Sequence, residues 1–234
     1  NIKGNQVRIY KSDMLVIAVT ILKLLLMGFF SSDYQNELFI PFTLFFVENG
    51  GNPYQHFYDI GMLNVFPYPA FMLFMQSIGI IIIKIFGISS IFMTNLIFKM
   101  PSLFLDNVGR HFISKMFPDK RKYAAVFYYV SPVSLYAVYM HGQLDLIPTV
   151  LLLCSVYYLS SKDKHRYFKG GVLLSCALLS KMHILAVLPI IFIYLYKRDG
   201  IRAAIKFGGC VIIAVLVGMM PFMSEGFRTI VLFN

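Results

Sequence analysis

The stretch MLVIAVTILKLLLMGFF, residues 14–30, carries a single charged side chain, Lys23. A transmembrane α-helix needs about 20 mostly apolar residues to cross the hydrocarbon core of a bilayer. This stretch is close to that length, and no small-residue cleavage pattern follows it, so it does not have the form of a signal peptide. We predict a membrane helix that the mature protein retains.

The composition of the whole chain extends this prediction. The 234 residues are 58% hydrophobic and 14% charged, with a mean hydropathy of +0.71. Soluble domains are about 45–50% apolar and about one quarter charged. We therefore predict an all-α, polytopic transmembrane protein with about seven to nine spans. Residues 1–234 would form a single transmembrane domain, the N-terminal part of a longer chain. A soluble enzyme and a nucleic-acid partner are excluded, because a net charge of +10 in a membrane protein reflects basic cytoplasmic loops.

The distribution of charge predicts the orientation of the first helix. Basic residues precede it, whereas Leu24 to Ile83 contains four acidic residues and neither Lys nor Arg. By the positive-inside rule, the N-terminus is cytoplasmic and residues 31–67 form a long first external loop. Within this loop, the spacing of apolar residues over 34–48 predicts an amphipathic helix at the membrane interface, which Gly50 to Pro53 would end.

The same charge rule predicts how the chain continues. A second span, 68–86, returns the chain to the cytoplasm. Residues 91–117 then form two short helices, 91–100 and 102–117, which turn near Pro101 because basic residues follow them on the cytoplasmic side. The later segments are predicted at 123–140 (outward), 145–160 (inward), 168–180 with 184–196 (an outward and inward pair) and 207–222 (outward).

Ionisable side chains at membrane depth cost about 2.5–3.5 kcal/mol each and are candidate functional residues. Four places qualify, and the prediction puts three of these groups on the external face. The fourth place is Lys99 and Asp106, on either side of Pro101, and Asp106 joins the external groups if the chain turns late in its region. The three external groups are Asp33 with Glu37, His141 with Gln143 and Asp145, and Lys181 with His183. Each group has a structural alternative. Asp33 could cap a helix, and Lys181 could extend toward lipid headgroups. His141 and Asp145 are four residues apart and would share one helix face, although Gly142 at a helix boundary also suits a structural turn. Lys23 would face headgroups or an acidic neighbour.

Several of these segments resemble one family of membrane enzymes, the GT-C glycosyltransferases. SDY at 32–34, GNPY at 51–54 and FPYP at 66–69 together resemble the family's first lumenal loop. SP at 131–132 followed by HGQLD at 141–145 is similar to its NP and GQFD stretch. LLSK at 178–181 resembles its LLFKP apex, and PF at 221–222 with EGFR at 225–228 looks like the start of a later external loop.

The sequence also departs from the family pattern. Ser131 stands where Asn is usual, and His183 stands where a Gln or a Pro-linked residue is common. No Asp-x-Asp pair lies near Asp33, so we predict no dedicated metal site, and a divalent cation stays an open alternative as cofactor.

The resemblance implies transfer of a hexose from a polyprenyl-phosphate-linked donor to a glycan, lipid or protein acceptor at the external face of the bilayer. Asp33 would be the catalytic base, and Glu37, one helical turn away, could partly replace it. Lys181 and Arg228 would hold the donor phosphate. His141, Gln143, Asp145 and His183 would bind the sugar or the acceptor.

Two other classes of function fit the same residues. Broken helices with charged residues at an apex also occur in transporters and flippases, although we detect no inverted repeat here. A non-catalytic assembly subunit of GT-C-like fold is the other alternative. The cysteines, Cys154, Cys176 and Cys210, lie in apolar runs and indicate buried thiols rather than a metal site.

Overall fold

A computed structural model describes residues 11–233, with side chains from Met14 onward, and this part of the chain is all-helical without a strand. Two of the basic residues that precede the first helix and predict its orientation, Lys3 and Arg8, lie outside the described residues. In chain order the α-helices are α1 (Lys11–Phe29), α2 (Ile40–Asn49), α3 (Pro53–Asp59), α4 (Ala70–Ile85), α5 (Ile91–Met116), α6 (Arg121–Tyr129), α7 (Pro132–Ser134), α8 (Leu146–Ser160), α9 (Arg166–Leu178), α10 (Leu188–Asp199), α11 (Ile201–Met219) and α12 (Glu225–Phe227). Wider π-helical turns occupy Tyr34–Phe39, Leu135–Met140 and Arg228–Leu232.

Within residues 11–233, one helix is long and apolar enough to cross a membrane. It is α11 with the short turn after it, Ile201–Phe222, whose 22 residues measure about 33 Å at 1.5 Å per residue, and whose most apolar 18-residue window has a mean hydropathy of 2.2. Only 28% of its apolar window is buried in the protein, so much of its apolar surface is exposed. A second candidate is α1 joined to the helix 34–49 across a bend of 68°. The remaining spans stay predictions.

The region 91–117 differs from its prediction, because α5 is one continuous helix with Pro101 inside it. A proline removes one backbone hydrogen bond and costs about 3 kcal/mol in a helix interior. Tertiary packing offsets this cost. Pro101 is buried, and Gly79 of α4 lets the backbone of Ile97 and Phe98 approach so closely that an added Cβ would lie 3.0 Å from the Ile97 carbonyl oxygen. The predicted turn at Pro101 is therefore wrong.

The contacts of α5 also change the predicted path of the chain. Lys99 near its start reaches the Phe30 carbonyl oxygen at 2.5 Å, and Asp106 further along reaches Lys23 at 2.5 Å. Helices α1 and α5 are therefore antiparallel, and α5 begins at the end of the bundle where α1 ends. The prediction that the second apolar run returns to the side where α1 begins is wrong, since the long helix α5 makes that return instead.

The segment predicted as an interfacial helix is helical in the structure. The π-helical turn Tyr34–Phe39 continues into α2, which ends at Gly50 in the left-handed region, φ 64°. It packs against α4, where the Phe46 and Phe74 rings are 5.9 Å apart and Lys84 pairs with Glu48 at 2.8 Å. Its helical state is confirmed, and its position at a membrane interface stays a prediction.

Helices α8 and α9 pack closely and run in opposite directions. The Ser155 hydroxyl donates to the Gly170 carbonyl at 2.7 Å, and Gly170 leaves room for Leu159. The ion pairs Asp163–Lys169, Arg166–Asp199 and Arg198–Asp199 lie around the connection between the two helices. The hydrogen bond from Lys169 lowers the pKa of Asp163. Asp145 and Lys181 lie at the other end of this helix pair, so the ion-pair cluster and these two residues are at opposite ends of the bundle.

Candidate functional site

A cleft of about 610 Å³ opens at the end of the bundle where α1 and α9 end and α4 and α8 begin. Four separate segments of the chain line it, and each includes residues of a segment that carries the family resemblance. The lining residues are Ser32, Tyr34, Phe39, Asn64, Pro67, Tyr68, His141, Gly142, Gln143, Asp145 and Lys181.

Lys181 and Asp145 form an ion pair in this cleft. Asp145 immediately precedes α8, while Lys181 lies in extended backbone after α9, at φ −158° and ψ 124°. Their side chains remain 30% and 44% exposed respectively, so solvent or a ligand has access to both. The Lys181 ammonium also lies 5.7 Å from the centre of the Tyr68 ring. An ammonium has three donors, so Lys181 can bind an anion while it contacts Asp145.

The loop from His141 to Asp145 turns at Gly142, whose φ of 77° lies in the left-handed region that favours glycine. A Cβ at this position would also lie 2.6 Å from Oε1 of the buried residue Gln35. This turn ends the preceding π-helix, so the prediction that His141 and Asp145 share a helix face is wrong, and the alternative of a structural turn at Gly142 is confirmed. The His141 ring lies 6.3 Å from the Tyr34 ring and 6.2 Å from the Tyr136 ring.

Lys99 ties together the backbone on two sides of the cleft, a role that the sequence analysis did not find. It is 1% exposed, and its ammonium donates to the carbonyl oxygens of Met27 (3.4 Å), Phe30 (2.5 Å) and Tyr139 (3.2 Å). Two of these carbonyls belong to the end of α1, just before Ser32, and the third belongs to the segment before His141. The only signal in the sequence is a lysine within an apolar run, next to a Met-Pro pair.

Asp33 and Glu37 lie at the start of the π-helical turn, and both are exposed. Asp33 makes no side-chain capping hydrogen bond, so the capping alternative is not supported. It does not line the cleft, although its neighbours Ser32 and Tyr34 do. Its carboxylate makes no hydrogen bond or ion pair with the described residues and is therefore unneutralised at the rim.

Arg228 and His183 are exposed and lie outside the cleft lining. The segment that contains Arg228 is docked on α3. The Gly226 backbone N–H donates to Gln55 at 3.1 Å, and the Tyr58 hydroxyl donates to Glu225 at 3.1 Å, which raises the pKa of Tyr58. The cleft thus brings together His141, Gln143, Asp145 and Lys181. Asp33, Glu37, His183 and Arg228 lie outside it.

Among residues 11–233, no group of three or more His, Cys, Asp or Glu side chains is arranged to hold a metal ion. Comparison with protein-family models, with curated proteins and with solved structures found no match to this chain.

Proposed function

We propose that this chain is a multi-pass membrane glycosyltransferase of GT-C type. It moves a hexose from a polyprenyl-phosphate-linked donor to an acceptor hydroxyl at the cleft, on the external or lumenal side of the bilayer. The cytoplasmic side would then hold the N-terminus and the ion-pair cluster around Asp163 and Asp199.

The observation that carries the proposal is the convergence of distant segments on one cleft. The turn after α1, the Pro67–Tyr68 segment, the loop 141–145 and Lys181 were chosen from the sequence for their resemblance to one family. They are far apart in the chain, yet they line a single cavity. Such a concave site with a few convergent polar groups is the usual form of a ligand-binding site.

The reaction requires one proton transfer and one displacement. The acceptor oxygen forms a bond to the anomeric carbon as the bond from that carbon to the donor phosphate oxygen breaks. The acceptor proton passes to a carboxylate base, and the phosphate leaves with the electron pair, still attached to its lipid. In our proposal Asp33 is the base, since its carboxylate is free, whereas the carboxylate of Asp145 is already paired with Lys181.

Lys181 supplies positive charge where the leaving phosphate develops negative charge. Fixed charges of this kind stabilise a transition state most when they are already in place. The ion pair with Asp145 and the nearby Tyr68 ring hold Lys181 in the cleft before the donor arrives. His141 and Gln143 offer hydrogen-bonding groups for the hydroxyls of the sugar or the acceptor.

The direct test is sugar transfer from a polyprenyl-phosphate-linked hexose by the complete protein in nanodiscs. Incorporation of labelled hexose into an extractable acceptor is the expected result. A matched control is the variant Lys162→Gln, because Lys162 is an exposed lysine at the ion-pair end, remote from the cleft. Uptake of intact substrate into sealed vesicles without transfer would instead favour the transporter alternative.

A first prediction concerns Lys181. We expect Lys181→Ala to reduce use of the lipid-linked donor by about 10²-fold, because a charge-assisted contact to a phosphate is worth about 1.5–3 kcal/mol. Lys181→Arg should retain part of the activity, since charge is kept while geometry changes. Donor-concentration dependence of the rate is the measurement. Equal losses of protein level and activity would show a purely structural lysine.

A second prediction concerns the sides of the membrane. In a cysteine-free background, single thiols introduced at Asn52, Gln143 and Ser89 should react with a membrane-impermeant reagent from the external side. Thiols at Lys120, Lys164 and Lys197 should react from the cytoplasmic side. Ser89 is the critical position, because it lies in the turn between α4 and α5. Labelling of Ser89 from the cytoplasm would contradict the antiparallel arrangement of α1 and α5, and cytoplasmic labelling of Asn52 would contradict an external site.

A further inference from the structure

A second polar cavity, separate from the cleft, lies where α1 begins and α5 ends. Its volume is about 310 Å³. Most of its lining is cationic or polar, and none of the described residues that line it is acidic. The lining residues are Val16, Arg110, His111, Ser114, Arg121, Lys122, Ala125 and Val126.

The side chain of Arg110 indicates that this cavity can bind a ligand that carries a hydrogen-bond acceptor. The guanidinium carbon lies 5.3 Å from the centre of the Tyr129 ring, which holds the side chain by a cation–π contact. Its Nε–H is buried and makes no hydrogen bond with the residues that the structure describes. A buried donor without an acceptor costs about 1–3 kcal/mol. An acceptor that enters the cavity would remove this cost.

We propose that this cavity binds a phosphate-bearing anion, either the headgroup of an anionic phospholipid or a free phosphate. Arginine is well suited to this task because its planar guanidinium offers several parallel donors to phosphate oxygens. Arg121 and His111 are exposed at the same cavity and add positive charge or donors. Basic cavities between helices on the cytoplasmic side of membrane proteins bind headgroups in this manner.

The position of the cavity fits a ligand from the inner leaflet. The antiparallel arrangement of α1 and α5 places it at the opposite end of the bundle from the sugar-transfer cleft. The apolar residues Val16, Ala125 and Val126 line it beside the cations. A phospholipid can satisfy both parts, with its phosphate on Arg110 and its glycerol region against these side chains. The proposal does not depend on the glycosyltransferase activity.

The test is ligand-dependent stabilisation of the complete protein in detergent. The chain has no Trp but has three cysteines, so melting can be followed with a thiol-reactive dye. The probes are short-chain phosphatidylglycerol, phosphatidylcholine and inorganic phosphate. We expect a saturable rise in Tm with phosphatidylglycerol and none with phosphatidylcholine, since only the former has a net negative headgroup. A response to inorganic phosphate that phosphatidylglycerol does not exceed would assign the site to a free phosphate.

Arg121→Gln is the principal variant, because Arg121 is exposed and its replacement should not affect folding. It should weaken the apparent Kd about tenfold, and Arg110→Gln with Arg121→Gln should remove the response. The matched control is Lys162→Gln with Lys164→Gln, which removes the same net charge from exposed lysines outside the cavity. An equal loss in the control pair, or no response to any anion in the unmodified protein, would overturn the proposal.

Discussion

Asp33→Asn is expected to lower sugar transfer by about 10²–10⁴-fold, the usual contribution of general acid–base catalysis. Asparagine has the same shape as aspartate but cannot accept the acceptor proton at neutral pH. The structure makes this substitution mild in other respects, since Asp33 is exposed and makes no capping hydrogen bond. The fold should therefore be preserved. The measurement is single-turnover transfer from a polyprenyl-phosphate-linked hexose by the complete protein in nanodiscs.

Glu37 provides the control for this prediction. It lies on the same π-helical turn, is also exposed, and could partly replace Asp33. Glu37→Gln alone should have a small effect, and the double variant should lose the residual activity of Asp33→Asn. Near-normal turnover in Asp33→Asn, at unchanged protein level and Tm, would remove Asp33 from the catalytic role. The next candidate for the catalytic base would then be Asp145, which lines the cleft directly.

The local structure was largely predictable from the sequence. The apolar runs predicted α1 and α11, and the Gly-Gly-Asn-Pro segment predicted the break after α2. In the structure, the Asn52 side chain accepts hydrogen bonds from the backbone N–H groups of Tyr54 and Gln55 and so begins α3. These features depend on residues that are neighbours in the chain, and a sequence pattern records such neighbours.

The path of α4 and α5 was not predictable in the same way. Local rules place a helix boundary near Pro101, whereas the close approach of Gly79 and the burial of Pro101 keep α5 continuous. The charge pattern also predicted that the second apolar run returns the chain to the side where α1 begins, whereas α5 makes that return. Lys84, at the end of α4, pairs with Glu48 of α2. Tertiary contacts therefore determine both the continuity of α5 and the path of the chain from α4 into α5.

The candidate site was also predictable from the sequence only in part. The resemblance to a family selected His141, Gln143, Asp145 and Lys181, and the structure gathers them in one cleft. The role of Lys99, which holds three backbone carbonyls together, depends on acceptors contributed by α1 and by the segment 135–140. Periodicity and spacing do not indicate a contact between such distant parts of the chain.

The largest effect on stability is expected at the buried pair of Lys23 and Asp106, whose partners are 83 residues apart in the chain. Their side chains are 0% and 1% exposed, and Nζ lies 2.5 Å from Oδ2. The Tyr139 hydroxyl donates to the same carboxylate, and the ammonium lies 3.3 Å from the centre of the Tyr129 ring. Sequence analysis had offered an acidic neighbour as one environment for Lys23, and the structure identifies it as Asp106, deep in the bundle rather than on the external face.

Removing one member of this pair leaves a buried charge without its partner. Lys23→Met should therefore destabilise the protein by about 3–5 kcal/mol, which lowers the Tm by about 6–20 °C for a chain of this size. The double variant Lys23→Met with Asp106→Leu removes both charges and should recover part of that loss, because an apolar pair of similar volume is often as stable as a buried ion pair. The recovery is incomplete because the Tyr139 hydroxyl loses its acceptor, at a cost of about 1–3 kcal/mol. Melting followed by a thiol-reactive dye compares the variants.

Lys84→Met, which breaks the exposed pair with Glu48, is the matched control and should cost less than about 1 kcal/mol. If the double variant were as unstable as Lys23→Met, the loss would come from packing of the lysine stem and from the Tyr139 hydroxyl rather than from the unpaired carboxylate.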